Sequence, residues 1–146
     1  MAKKDFEGKD VINGTWGELW VDDDYIGEIE SFKFELNLTY SDVARCNSLV
    51  PDKKITKAEP KGSFKGHKVR DALESKVLAS VKSGKTPVLS IVGKVSDPDV
   101  DGQTRVACKK CYLDKATLID IENGKTSEFS YNFDCGEFPE YLDEID

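Results

Sequence analysis

The residues of this chain whose types and spacing can do chemistry are four cysteines, one histidine and a group of aspartates. Cys108 and Cys111 have the CxxC spacing of zinc and redox sites, with Cys46 and Cys135 available to complete four ligands. Their local context points to plainer roles. Residues 106–112 read as a strand, in which side chains three apart point to opposite faces, and Lys109 and Lys110 supply no glycine knuckle to turn both sulfurs onto one metal. Reduced, structural thiols are the expectation, with zinc binding the alternative. Asp97, Asp99, Asp101 and Gly102 fit the first half of an EF-hand loop, but the position that should supply a bidentate glutamate falls on Cys108, and strands rather than helices flank it. The segment reads as a solvated hairpin tip. His67 has no accompanying nucleophile motif and reads as structural. No glycine-rich phosphate loop and no convergent carboxylate pair emerge, so the chain reads as a protein that is not an enzyme and uses no metal or cofactor.

Composition narrows the classes further. The chain has 146 residues and a formal net charge of -7, from 28 acidic and 21 basic side chains. Such a surface does not grip phosphate backbones through basic side chains. Arg45, Arg70 and Arg105 are its only arginines, so arginine-based phosphate recognition is absent too. The first residues lack the apolar run of a signal peptide and no run of eighteen apolar residues occurs, which predicts a protein made in the cytosol with no membrane insertion. A chain this long buries roughly 68–70% of its unfolded surface and needs no disulfide staples. Seven Phe, five Tyr and two Trp supply large pieces for a core.

The elements that must position these residues are mostly strands. Phe32, Phe34, Leu36 and Leu38 alternate with Lys33, Glu35, Asn37 and Thr39, the pattern of a strand with one buried and one wet face. The phase slips upstream at Ile29, predicting a β-bulge near Glu30 and Ser31 within a ribbon over 25–38. Residues 16–21, a turn at Asp22 to Asp24 and this ribbon read as a hairpin. Residues 117–121 and 129–135 flank Asn123 and Gly124 and read as another, because Asn-Gly suits a type I′ turn. Residues 87–95 pair with 104–112, the first being apolar on both faces and therefore central. A short strand covers 62–69. A helix spans 70–83, with Val69, Leu73, Val77 and Val81 inward, Glu74, Lys76 and Lys82 outward, and Gly84 closing it. Residues 39–60 show no period and read as an extended interaction loop. The chain is expected to be one domain over 1–146, with an N-terminal arm at 1–14 and an acidic tail at 136–146. The fold class is mainly β, an antiparallel sandwich or partial barrel with one packed helix. Its long strand edges need covering, either by the chain's own loops or by neighbours that add strand to strand.

The segment Ile12-Asn-Gly-Thr-Trp-Gly-Glu-Leu-Trp-Val21, a short acidic turn, and Ile26-Gly-Glu-Ile-Glu-Ser-Phe-Lys-Phe-Glu35 resemble the opening of the XkdM-like tail tube proteins of contractile-tailed phages, defective prophages and phage-tail-like bacteriocins. The similarity extends through the strand Lys61-Gly-Ser-Phe-Lys-Gly-His-Lys-Val69, the following helix and the C-terminal hairpin, and so covers nearly the whole chain. It implies hexameric rings stacked into a hollow tube inside a contractile sheath, with no catalysis and no cofactor. Each subunit would give two hairpins, 25–38 with 62–69 and 88–96 with 104–112, to a shared barrel. Lys33, Glu35 and Asn37 become candidate lumen residues. Arg45, Lys53, Lys54 and Lys57 become candidate inter-subunit contacts in the 39–60 segment, and Phe6 a contact of the arm. The implied partners are further copies of the chain, a sheath protein, baseplate or initiator proteins and a tail terminator, with DNA only as transiting cargo if the particle is a phage. The implied location is the bacterial cytoplasm during assembly, then a virion tail or a released bacteriocin. Two readings of other classes remain: a carbohydrate- or protein-binding β-sandwich presenting Trp16, Trp20 and Tyr25 as a platform, and a small zinc protein.

Overall fold

The computed structural model describes residues 5–146. Eight strands and one helix follow in the order β1 (Gly17–Val21), β2 (Asp24–Tyr25), β3 (Ile29–Val43), β4 (Asp52–His67), α1 (Ala72–Lys82), β5 (Leu89–Val95), β6 (Thr104–Leu113), β7 (Glu128–Cys135) and β8 (Glu140–Asp143). All strands join one antiparallel sheet in the order β2-β1-β5-β6-β7-β4-β3, with β8 added to β6. The sheet does not close on itself, and the mainly β class with one helix is as the sequence predicts.

Period-two alternation builds the core. In β7, Phe129, Tyr131 and Phe133 point inward and their neighbours outward. They meet Phe64 of β4, whose ring lies edge-on to Tyr131 at a centroid distance of 5.7 Å. Leu19 and Val21 of β1 and Leu89 and Ile91 of β5 complete the same cluster. Each such side chain contributes on the order of 1.5–3 kcal/mol by leaving water. The far edge of the sheet curls back over this cluster. Phe32 and Phe34 of β3 lie against Gly93 of β5, where any side chain would occupy the space of their rings. Glycine is thus what lets two non-neighbouring strands approach face to face.

The helix meets the sheet through its middle turns. Leu73 and Val77 face the core, whereas Val81 at its end is 58% exposed and Val69 before it 71%. The predicted apolar stripe is therefore half as long as expected. Glu74, expected on the outer face, is buried, with only 5% of its surface exposed. Its carboxylate is drawn inward by two partners, the Tyr131 hydroxyl at 2.6 Å and the Lys68 ammonium at 2.8 Å. Gly84 ends the helix with φ +79°, the left-handed conformation that costs glycine nothing.

Three further expectations are corrected. Residues 117–121 form no strand, and Asn123-Gly124 makes no hairpin. β4 pairs with β7 over 128–134, whereas β6 pairs with it only over 133–135, and 117–121 form no ladder with the rest of β7. Residues 16–21 do not pair with β3. Instead β1 pairs with β5 and with the two-residue β2, through a tight turn at Asp22 and Asp23, which both have positive φ. Finally, 39–60 is mostly strand. β3 runs to Val43 and β4 starts at Asp52, leaving a connection of only 44–51. This ribbon is wet on both faces along most of its length, so burial imposes no period that the sequence would display. The predicted bulge is present between Ile29 and Ser31, and a second one follows between Thr39 and Tyr40.

Candidate assembly surface

The fifteen residues of β3 and sixteen of β4 form one hairpin, of which only the proximal part belongs to the body of the molecule. β4 pairs with β7 from Lys61 to His67; beyond Lys61 toward the tip, β4 pairs with β3 alone. Pro60 stands at this transition, where one edge of β4 becomes free and a missing N–H is tolerated. Among the described residues β3 has β4 as its sole strand partner and is an edge strand of the sheet throughout.

The register sorts the hairpin into two unlike faces. On the side continuous with the core stand Phe32 opposite Phe64, Phe34 opposite Gly62, Leu36 opposite Pro60, Leu38 opposite Ala58 and Tyr40 opposite Ile55. From Leu36 outward the large members of this row, Leu36, Leu38, Tyr40 and Ile55, are exposed, and Leu49 at the tip is fully so. An apolar row therefore leaves the core and continues into water. The opposite face carries Lys33, Glu35 and Asn37 at alternate positions, as the alternation predicts, facing Ser63, Lys61 and Glu59 across the ribbon. Here opposite charges interleave. Lys33 meets Glu35 at 3.3 Å, while Glu59 takes Lys57 at 2.8 Å and Lys61 at 3.4 Å. Hydrogen bonding to Glu59 and its charge raise the Lys57 pKa above its ordinary value, and Lys57 in turn lowers that of Glu59.

The other sequence candidates separate. Lys53 is bonded within the hairpin to Asp42 at 2.6 Å, and Arg45 lies 3.9 Å from Asp52. Lys54 stands opposite Ser41 on the charged face. Phe6 is exposed and lines a groove with Asp5, Asp10, Val100 and Ile145. The N-terminal segment is thereby laid against the C-terminal one, and residues 1–4 of the predicted arm fall outside the described residues. The acidic tail is in part a strand: β8 pairs with β6 through Arg105 opposite Asp143 and Ala107 opposite Glu140.

The chemical motifs take structural places. Asp97 is buried, one carboxylate oxygen accepting from the Asn13 amide and the other from that of Asp99, each at 2.9 Å. It ties the segment before β1 to the β5–β6 connection, a role that no sequence pattern announced. His67 lies exposed at the end of β4, opposite Glu128. Trp20 and Tyr25 contact each other at 5.2 Å with planes 46° apart, and among the described residues no ring contact joins Trp16 to them. The three rings form no flat platform. The two CxxC sulfurs do not point apart as strand alternation predicts. Lys110 has φ 52°, and this left-handed residue adds a half-turn that buries both Cys108 and Cys111. Cys111 Sγ then lies 3.5 Å from Cys135 Sγ, while Cys46 is exposed near the hairpin tip. Among the described residues no group of three His, Cys, Asp or Glu side chains is arranged to hold a metal ion.

The site is thus a curled antiparallel sheet whose longest hairpin carries an apolar row beyond its own core. A family profile for phage tail tube proteins matches residues 4–143, and the chain belongs to that family. Solved structures of similar fold include a chain of the sheath-tube complex of an extracellular contractile injection system, PVC, in its extended state. It has a TM-score of 0.69 and 7% identity over 93% of both chains. A chain of the tube-terminating cap of the anti-feeding prophage has a TM-score of 0.72 and 7% identity, covering 98% of this chain and 97% of that one. A chain of the virion of a native gene transfer agent particle has a TM-score of 0.61 and 13% identity, covering 90% and 99%. No curated protein matches the chain by sequence.

Proposed function

We propose that this tail tube protein assembles as hexameric rings that stack into a hollow tube inside a contractile sheath. The observation that carries the reading is the β3–β4 hairpin, with a free edge along β3 and an apolar row, Leu36, Leu38, Tyr40 and Ile55, that its own chain leaves uncovered. A neighbouring subunit covers that row, and barrel closure around a ring removes the open edges. The charged face opposite then looks into the channel, with Lys33, Glu35 and Asn37 lining it. Arg45, Lys53, Lys54 and Lys57 on the distal hairpin, and Phe6 on the N-terminal segment, contact the neighbouring subunit or the next ring. The resemblance to chains of a sheath-tube complex and of a tube-terminating cap supports a sheath protein and a terminator as partners, with a baseplate initiating growth. DNA passes only as cargo, past a chain whose net charge of -7 opposes adhesion. Assembly takes place in the bacterial cytoplasm and the product is a virion tail or a released bacteriocin.

Negative-stain microscopy of the full chain at high concentration, alone and with sheath and baseplate components, tests the reading. Six-fold rings or hollow tubes are the expected result. Monomers persisting under every one of these conditions would sink it.

A further inference from the structure

Three of the four cysteines meet where β6 changes partners. Along one edge β6 pairs with β5, and along the other it pairs first with β8, through 105–107, and then with β7, through 111–113. Cys111 stands directly opposite Cys135 at the start of the β7 pairing. Facing residues of antiparallel neighbours have Cα atoms about 4.5–5.5 Å apart, inside the roughly 4.4–6.8 Å that a disulfide spans. Their sulfurs are already 3.5 Å apart, so bonding needs an approach of about 1.5 Å, within the reach of small χ1 adjustments. Cys111 is fully buried, whereas Cys135 is partly exposed and is the sulfur that a small solute meets. Nothing in the assembly reading uses this cluster.

We propose that Cys111 and Cys135 are a built-in oxidation site, forming an intrachain disulfide when the protein meets a peroxide-class oxidant. The Cys135 sulfur attacks one peroxide oxygen, the O–O bond breaks, and water leaves a sulfenic acid. The Cys111 sulfur then attacks the sulfenic sulfur, the S–S bond forms, and the hydroxyl departs with the Cys111 proton as a second water. Two thiols are oxidised by two electrons and one peroxide is reduced to two waters. Burial pushes the Cys135 thiol up to about 11, which makes the step slow at neutral pH and faster in alkali. The neighbouring Cys111 and Cys135 S–H groups favour the Cys108 thiolate, lowering that thiol to about 7, but its burial keeps it from the oxidant. The bond closes a loop over 24 residues and pins β7 to β6 at the fork. Thiols kept reduced inside a cell become a crosslink in a particle released from it.

The test uses the full-length protein carrying Cys46→Ser, which removes the one thiol exposed near the hairpin tip. After hydrogen peroxide treatment, intact mass and non-reducing peptide mapping are expected to show a monomer lighter by two hydrogen atoms, a single Cys111–Cys135 crosslink, and reversal by dithiothreitol. Unfolding in urea before oxidation should scramble the pairing, which shows that the fold selects it. Survival of all three remaining thiols under conditions that oxidise a reference dithiol overturns the proposal. So does a bond from Cys108 to either other sulfur. Neither outcome depends on whether the protein forms tubes, because monomers and assemblies contain the same pair.

Discussion

The Tyr131 hydroxyl donates a hydrogen bond of 2.6 Å to Glu74 Oε1 across 57 residues of sequence, and the same oxygen receives the Lys68 ammonium at 2.8 Å. The backbone amide of Thr117 donates to the Tyr131 oxygen at 3.2 Å, completing a small buried network. It joins the helix to β7 and holds down the otherwise irregular segment after β6. Glu74→Ala leaves the buried Tyr131 hydroxyl without its acceptor and Lys68 with Asp71 alone, and is expected to cost about 2–4 kcal/mol. Tyr131→Phe keeps the ion pair and should cost about 1–2 kcal/mol. Urea denaturation with an unchanged m-value measures both.

The same network sets an alkaline limit. Burial and, next, the hydrogen bond to Glu74 raise the Tyr131 pKa above its ordinary 10.0. Lys68 is raised above 10.5, its bonds to Glu74 and Asp71 outweighing the opposing cost of burial. In both cases the folded chain holds a proton that the unfolded chain releases, so stability is complete below the unfolded values and falls as pH rises through them. The decline should begin near pH 10, with Tyr131 contributing up to about 1.4 kcal/mol per pH unit and Lys68 adding to it in the same direction. Tyr131→Phe should make the decline shallower, as read from denaturation midpoints across pH.

Curling of the sheet depends on Gly93. A methyl group there would lie 2.8 Å from Phe32 Cε2 and 2.9 Å from Phe34 Cε2. Gly93→Ala is therefore expected to destabilise the chain by about 1–3 kcal/mol through overpacking, and Gly93→Val by more. Differential scanning calorimetry gives the comparison.

On the distal hairpin, stability and assembly should part company. Leu38 and Ile55 are exposed in the subunit, so Leu38→Asp and Ile55→Asp should shift its folding free energy by no more than about 0.5 kcal/mol. Both should abolish tube formation, because a charge would be buried in the interface that covers the row. Thermal melting and microscopy on the same samples separate the two effects.

The channel assignment has its own probe. In a Cys46→Ser background, Asn37→Cys in assembled tubes should react with a small maleimide and resist a large polymer-linked one. Equal reaction with both would place Asn37 on the outside.

What the sequence disclosed follows from where water is excluded. Phe32 and Phe34 alternate because one face of β3 is buried there, and the bulge near Ser31 shows as a break in that phase. Farther out, Tyr40 to Val43 and Asp52 to Lys57 are exposed on both sides, so no pattern marks them as strand. Glu74 was misplaced because a helical wheel cannot show a partner as remote as Tyr131. Cys108 and Cys111 were misplaced because one left-handed residue, Lys110, overrides the alternation on which the prediction rested. Of the assembly surface, Lys33, Glu35 and Asn37 were legible as one face. The apolar row was legible only as far as Leu38, and its exposure not at all.

The hairpin also has a mechanical meaning. The seven residues of β3 beyond Leu36 carry the ribbon about 23 Å past the body, against a radius of gyration of roughly 15 Å expected for a compact domain of this size. The ribbon is thus a lever arm fixed to the body at one end, and the Thr39–Tyr40 irregularity bends it partway along. Under the proposed ring assembly, a push at Leu49 would act as torque on the body, and the ribbon's reach would set how far one subunit could hand that torque to the next.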